Sequence, residues 1–289
     1  MHRTISAVGR KFMSTESEWN PKVVLGRAIV AVLPENVLHR VKKEYYAYLI
    51  SHLPESWQER DATVVKHLVS AGDRVIDIGA SIGEYTKFLS NLVGSSGRVY
   101  SFEPNPPIYD YLSHNVKKLR LGNVELSNLA LSDAKGIGSI AIPRYRWGSE
   151  CHYDATLETK RTSADCRRLD VNIGTLDSFF ADRPERIAFV KCDVNYHELA
   201  CLRGAVETIR QSAPAILIEI LTNPDKSGGP AAQVFELLQE FGYEAYWFDG
   251  GSLRKRQRGE RSQNYFFLRR EHLSEIPIRP AQRHMALSS

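Results

Sequence analysis

The chain has 289 residues, 43% hydrophobic, 25% charged and 10% aromatic, a composition that excludes a mainly disordered or fibrous protein and allows one large domain or two small ones. Its 38 Lys+Arg face 34 Asp+Glu, a net charge of only +4, which argues against a dedicated nucleic-acid binder. Cys151, Cys166, Cys192 and Cys201 form no CxxC pair, which argues against a zinc ribbon or redox motif and favours reduced thiols in the cytoplasm.

No apolar run approaches the roughly 18 residues needed to span a bilayer; the run 23–33 is short and interrupted by Arg27. The first residues carry Arg3, Arg10 and Lys11 with no acid before Glu16, faintly like a transit peptide, and are read as an untethered terminus. After Pro34, Val37, Val41, Tyr45, Tyr48 and His52 recur at helical steps. A second helix is predicted over 57–69, with Val64, Val65 and Leu68 on one face and Gly72 as its stop. The period then changes. Arg74-Val-Ile-Asp-Ile-Gly79 reads as a buried strand.

Strand and helix signals alternate from there. Tyr85, Phe88, Leu89 and Leu92 make a helical face, 98–102 a strand, Ile108 to Leu119 a helix, and 124–131 a strand. Strands are predicted at 187–192 and 215–220, with helical spacing between them at Leu199, Leu202, Val206 and Ile209. Val234, Leu237, Leu238 and Phe241 form another helix face before Gly242. Strands at 244–248 and 264–268 follow without an intervening helix and read as a hairpin. The pattern is α/β, a mostly parallel sheet with helices on both faces and an antiparallel C-terminal addition. The polar stretch 143–172 is expected to be a lid.

Asp77-Ile-Gly79-Ala80-Ser81-Ile82-Gly83 lies where the first strand meets the next helix, and Glu103 ends the second strand about 20 residues on. Small residues let backbone approach a ligand, and an acid there grips ribose hydroxyls. The spacing GxxxG is not the GxGxxG of a pyrophosphate site, and no P-loop is present. A nucleoside without phosphates, such as S-adenosyl-L-methionine, fits better than a dinucleotide.

Val75-Ile-Asp-Ile-Gly-Ala-Ser-Ile-Gly-Glu-Tyr-Thr86 resembles the first motif of class I methyltransferases, and Val99-Tyr-Ser-Phe-Glu-Pro-Asn-Pro106 the next. Asn128-Leu-Ala-Leu-Ser-Asp133 with Gly136, Thr175-Leu-Asp-Ser-Phe179, Phe189 to Ala205, and Ile216-Leu-Ile-Glu219 resemble later blocks of the FkbM family, in that family's order. The resemblance implies a Rossmann-like class I fold and S-adenosyl-L-methionine-dependent O-methylation of a small hydroxylated acceptor, commonly a sugar or polyketide-like natural product. It implies that Asp77, Gly79, Ala80, Ser81 and Gly83 line the cofactor site, that Glu103 holds the ribose, and that Asp133 lies near the adenine. A solvated turn acid before Gly136 is an equal reading of Asp133. The implied domain covers 57–289, with 143–173 as the lid insertion and 1–56 as tail and helical extension.

The family block usually reads Asp-Val-Glu-Gly where this chain has Asp193-Val194-Asn195-Tyr196. Asn195, with Glu198 three residues on, is expected to form a capping box; Tyr196 either walls the substrate pocket or packs. Asp193 is the first catalytic candidate. His197 is a second by its near-neutral pKa, although a histidine in a helix's first turn is more often solvated. Asp193 and Glu219 are the residues that would hold a divalent metal, if one is used. Asn105-Pro-Pro-Ile-Tyr109 reads as a helix start, and Arg254-Lys-Arg-Gln-Arg258 as a solvated loop, with an anionic surface as its alternative partner. The alternatives to methyl transfer are an NAD(P)-dependent oxidoreductase and a binding protein that has lost the chemistry.

Overall fold

A computed structural model describes residues 34–53, 61–143, 155–157, 166–183 and 185–276. The basic N-terminus, the run 23–33, the start of the second predicted helix and Cys151 lie outside the described residues. Among the described residues two helices come first, α1 (Glu35–Ser51) and α2 (Ala62–Leu68). Alternation follows with β1 (Arg74–Ile78), α3 (Glu84–Val93), β2 (Arg98–Phe102), α4 (Pro106–Lys118) and β3 (Val124–Ser127). Next come β4 (Ala130–Leu131), β5 (Gly136–Pro143), β6 (Thr156–Leu157), β7 (Cys166–Gly174) and α5 (Leu176–Phe180). The chain then runs through β8 (Ile187–Cys192), α6 (Glu198–Arg203), α7 (Val206–Ser212), β9 (Ala215–Glu219) and α8 (Pro230–Glu240). The last described elements are β10 (Glu244–Phe248), β11 (Leu253–Lys255), β12 (Asn264–Leu268) and a 3₁₀ turn, Arg270–Glu275.

Eight strands form one sheet in the order β11-β10-β12-β9-β8-β1-β2-β3. The five from β9 to β3 are parallel, and β12, β10 and β11 add antiparallel pairing. Side chains alternate across the sheet, as the two-residue period requires. Ile76, Tyr100, Val190 and Ile216 join one apolar cluster, and Val75, Val99, Phe189 and Leu217 join the other. Both faces are therefore buried, which explains the continuous apolar strands. Among the described residues no helix is long and apolar enough to cross a membrane.

Several expectations need correction. The helix α1 forms, with the residues that mark its period facing outward: Val41 is 52% and Tyr48 59% exposed. Ala47 and Ile50 are buried instead, and Ile50, Tyr46 and Leu49 pack against Ile82, Ile108 and Tyr111. Polar contacts set that rotation. His39 stacks on Tyr111 at 4.6 Å between ring centroids, and His39 and Lys43 both reach Asp110. The strand predicted over 124–131 is two strands in two sheets, because β4 leaves the main sheet to pair with β7. The predicted helix through Leu199 and Ile209 breaks at Gly204, where a Cβ would lie 1.9 Å from the Ser132 carbonyl oxygen. Of the expected lid, 143–173, residues 144–154 and 158–165 lie outside the described ones, so that expectation stands uncorrected; residue 143, Thr156–Leu157 and 166–173 are strand in a second sheet of order β4-β7-β5-β6. The apolar residues Ile140, Ile142 and Val171 give that sheet its own small core.

Candidate active site

The connections leave β1 toward β2 on one side, whereas β8 lies on the other. The carboxyl ends of β1 and β8 therefore flank a topological switch point, the place where open α/β sheets form a crevice for ligands. Two turns meet there. After β1, Gly79 and Gly83 take positive φ of 79° and 97°, and Ser81 sits at 51°. A Cβ on Gly79 would stand 1.9 Å from the Asp193 carbonyl oxygen, so glycine is required by the close approach of the second turn. The first turn is welded to the end of β2: Gly79 and Ala80 donate to the Phe102 carbonyl at 3.0 Å, and Ser81 N–H donates to a Glu103 carboxylate oxygen at 2.9 Å. The other Glu103 oxygen accepts from Asn105 N–H at 2.9 Å. Each carboxylate oxygen has a further lone pair, so Glu103 can brace the loop and still accept from a ribose hydroxyl.

Beneath the loop lies a buried polar chain on the face covered by α3. Thr86 Oγ1 donates to Asp77 Oδ2 at 2.6 Å and pairs with Ser101 Oγ at 2.9 Å. Asp77 Oδ1 is buried and has no hydrogen-bond partner among the described residues. Burial pushes the Asp77 carboxyl up, with the Lys191 ammonium pulling the other way. Glu103 is pushed up to about 7, first by burial and further by Asp77 and Asp193, against the two backbone hydrogen bonds. Lys191 lies opposite Asp77 in the β1–β8 register. Its ammonium is 3.1 Å from Asp193 Oδ2 and 5.1 Å from the centre of the Tyr85 ring. Asp77 and Asp193 thus share one lysine. That excess of negative charge, with an orphaned Asp77 oxygen, fits a cationic ligand carrying a sulfonium and an ammonium.

The second turn links β8 to α6. Asp193 N–H donates to the Ile78 carbonyl at 3.0 Å, while its side chain is 37% exposed. The capping box expected of Asn195 does not form. Asn195 has φ 49° and Tyr196 φ 74°, so the chain turns before it can cap, and His197 is the N-cap residue without a side-chain capping bond. Asn195 instead donates to the Ala155 carbonyl at 3.1 Å and accepts at its own carbonyl from Thr156 Oγ1 at 2.8 Å, which ties the small sheet to the turn. Glu198 reaches back to Tyr196 N–H at 2.8 Å, and burial pushes its carboxyl up to about 7. A non-glycine residue in the left-handed region costs about 1–2 kcal/mol, less for asparagine than for tyrosine.

His197 is buried rather than solvated, with Nε2 2.9 Å from Ser132 Oγ. Burial lowers the pKa of its imidazole, opposed by exposed Asp133. The fold therefore gathers His197, Ser132 and Asp133 beyond β4, and Asp77, Gly79, Glu103 and Asp193 around the β1 turn. Glu219 ends β9 and is buried. Among the described residues no group of three or more His, Cys, Asp or Glu side chains could hold a metal ion. Lys191 and Thr86 are site residues that motif reading missed. A lysine inside the apolar run Ile187-Ala-Phe-Val-Lys-Cys192 was the available signal.

Residues 77–245 match the methyltransferase FkbM domain. No curated protein matches the chain. Among solved structures, a methyltransferase FkbM from Methylobacillus flagellatus is 14% identical, with a TM-score of 0.43 over 68% of this chain and 43% of that one. An S-adenosylmethionine-dependent O-methyltransferase from Thermotoga maritima is 15% identical, with a TM-score of 0.40 over 73% and 64%. Fibrillarin from Aeropyrum pernix, with natively bound S-adenosyl-L-methionine, is 15% identical, with a TM-score of 0.41 over 72% and 73%. The chain thus spans less than half of the Methylobacillus structure and just under two thirds of the Thermotoga one. The domain match sets aside the nicotinamide alternative: the chain belongs to the FkbM methyltransferase family, and its cofactor is S-adenosyl-L-methionine.

Proposed function

We propose that the chain methylates a hydroxyl of a small molecule such as a sugar or polyketide-like natural product, within a catalytic domain of residues 57–289. One observation carries this reading: the Asp193 carboxylate is partly exposed at the switch point while its backbone carbonyl presses on Gly79. When bound, S-adenosyl-L-methionine supplies an electrophilic methyl group on a sulfonium. Gly79, Ala80, Ser81 and Gly83 would line it, Asp77 would face its positive charge, Glu103 would take the ribose and Asp133 the adenine side. Asp193 accepts the proton that the hydroxyl loses as its oxygen gains the methyl, and Lys191 holds that carboxylate in position. His197 is the lesser candidate for the base, because its ring is committed to Ser132.

The basic run supports a small acceptor rather than a nucleic acid: Arg254 lies over Trp247, Lys255 pairs with Glu244, and Arg256 bonds Asp225 at 2.6 Å. Among the described residues Cys166, Cys192 and Cys201 are free thiols, which supports a cytoplasmic setting. S-adenosylhomocysteine should protect the chain against thermal unfolding while NADPH does not, and S-adenosylhomocysteine should be released when hydroxylated acceptors are supplied. Binding without turnover across the acceptor panel would overturn O-methylation and leave a binding protein. Turnover that EDTA abolishes and Mg²⁺ restores would assign Asp193 and Glu219 to a divalent ion.

A further inference from the structure

Tyr196 is the one residue of the β8–α6 turn whose backbone is strained and whose side chain gains nothing from it. Its φ of 74° is a glycine conformation, and it follows a second left-handed residue, Asn195 at 49°. The turn is held from all sides by backbone and neighbouring groups: Asp193 N–H on Ile78, Asn195 on Ala155, Thr156 on Asn195, and Glu198 on the Tyr196 N–H. None of these bonds uses the tyrosine ring. The side chain is 55% exposed, and its ring and hydroxyl have no aromatic, cationic or hydrogen-bonded partner among the described residues. Packing therefore does not account for an aromatic residue here. Position does: Tyr196 is three residues beyond Asp193, within about 11 Å of chain, in the turn whose Asp193 carbonyl meets Gly79.

We propose that Tyr196 is an acceptor-binding, specificity-determining residue whose ring forms a platform for an acceptor with a flat ring face, a pyranose or an aryl ring. Strain kept at a ligand site is a recurrent way to present a side chain where packing would otherwise withdraw it. An exposed aromatic face loses water when a ring of similar size covers it, and the phenolic hydroxyl offers a hydrogen bond at the edge. An acyclic polyol offers no such face. This inference rests on the hydroxyl-methylation reading and names the shape of the acceptor.

The test uses the full chain loaded with S-adenosylhomocysteine and three probes: methyl β-D-glucopyranoside, catechol and glycerol. Saturation-transfer NMR should detect the pyranoside or catechol and not glycerol. Tyr196→Phe should keep that signal, and Tyr196→Ala and Tyr196→Gly should lose it, with S-adenosylhomocysteine affinity within about twofold of the parent in all three. Melting separates a structural role. Tyr196→Ala should melt within about 1 °C of the parent, and Tyr196→Gly about 2 °C above Tyr196→Ala, because glycine relieves the left-handed backbone. Equal ring-probe signals in the parent and Tyr196→Ala, no ring-probe signal in the parent, or a large fall in melting temperature in both Ala and Gly variants would overturn the platform. Loss of S-adenosylhomocysteine binding by the parent would instead overturn the cofactor site itself, a separate result.

Discussion

The two turns at the switch point solve the same steric problem in opposite ways. The turn after β1 places its largest positive φ values on Gly79 and Gly83, where they are conformationally free. The turn after β8 places them on Asn195 and Tyr196, where they are not. The difference teaches that the first turn is built for close approach of backbone to backbone, and the second to hold side chains at a rim. One demand is met by removing atoms; the other keeps them and is secured by hydrogen bonds from the small sheet and from Glu198.

Four experiments would break or sharpen that contrast. The largest effect is expected at the rim: Asp193→Asn should lower turnover by about 10²–10⁴-fold if the carboxylate takes the proton, with S-adenosylhomocysteine affinity retained in a titration. Retained turnover would move the base elsewhere, and unchanged rates in His197→Gln would remove its nearest rival. On the close-approach side, Gly79→Ala sets a Cβ against the Asp193 carbonyl. It should cost about 3 kcal/mol of stability by denaturant unfolding and loosen cofactor binding by a comparable factor; a neutral effect would mean that the turns separate easily.

The third test concerns Glu103, whose carboxyl titrates near 7 when folded against an ordinary 4.5. Between those pH values the folded chain keeps a proton that the unfolded chain has released. Stability is therefore present below about 4.5 and lost as pH rises through 7, by on the order of 3 kcal/mol. Urea unfolding at pH 5 and pH 8 should show the fall, and Glu103→Gln should shrink it. Glu198 contributes in the same direction, so part of the slope should persist in that variant. The smallest effect is expected at Lys191. Lys191→Met removes the cation paired with Asp193 and set against Asp77, so turnover should fall by less than about tenfold with S-adenosylhomocysteine affinity retained. A lowered melting temperature with turnover unchanged would reduce Lys191 to a structural role.

Much of this organisation was legible in the strand pattern. Arg98–Phe102 and Ile187–Cys192 appear at their predicted bounds because both faces of a parallel strand are buried and leave a mostly apolar run. The glycine turn and Glu103 were legible because backbone approach and an acid after β2 leave residue-type signatures. The rotation of α1 was not. Val37, Val41, Tyr45 and Tyr48 satisfy helical periodicity as well as the inner face does, and contacts with α4, through His39, Lys43, Glu44 and Ile50, choose between them. The capping role of Asn195 failed for a related reason: the motif specifies spacing, whereas the left-handed φ came from contacts with Ala155 and Thr156, some forty residues away.

By itself, then, the amino-acid sequence determined the order of strands and helices, the cofactor turn and the modest charge that argued against a nucleic-acid binder. These depend on local periodicity and on residues whose chemistry is carried by their own side chains. The tertiary structure alone decided that the basic run is paired internally, that His197 is buried against Ser132, and that Lys191 is shared among carboxylates from separate strands. Those outcomes depend on which surfaces meet across the sheet, and burial and charge pairing exist only once distant segments have come together.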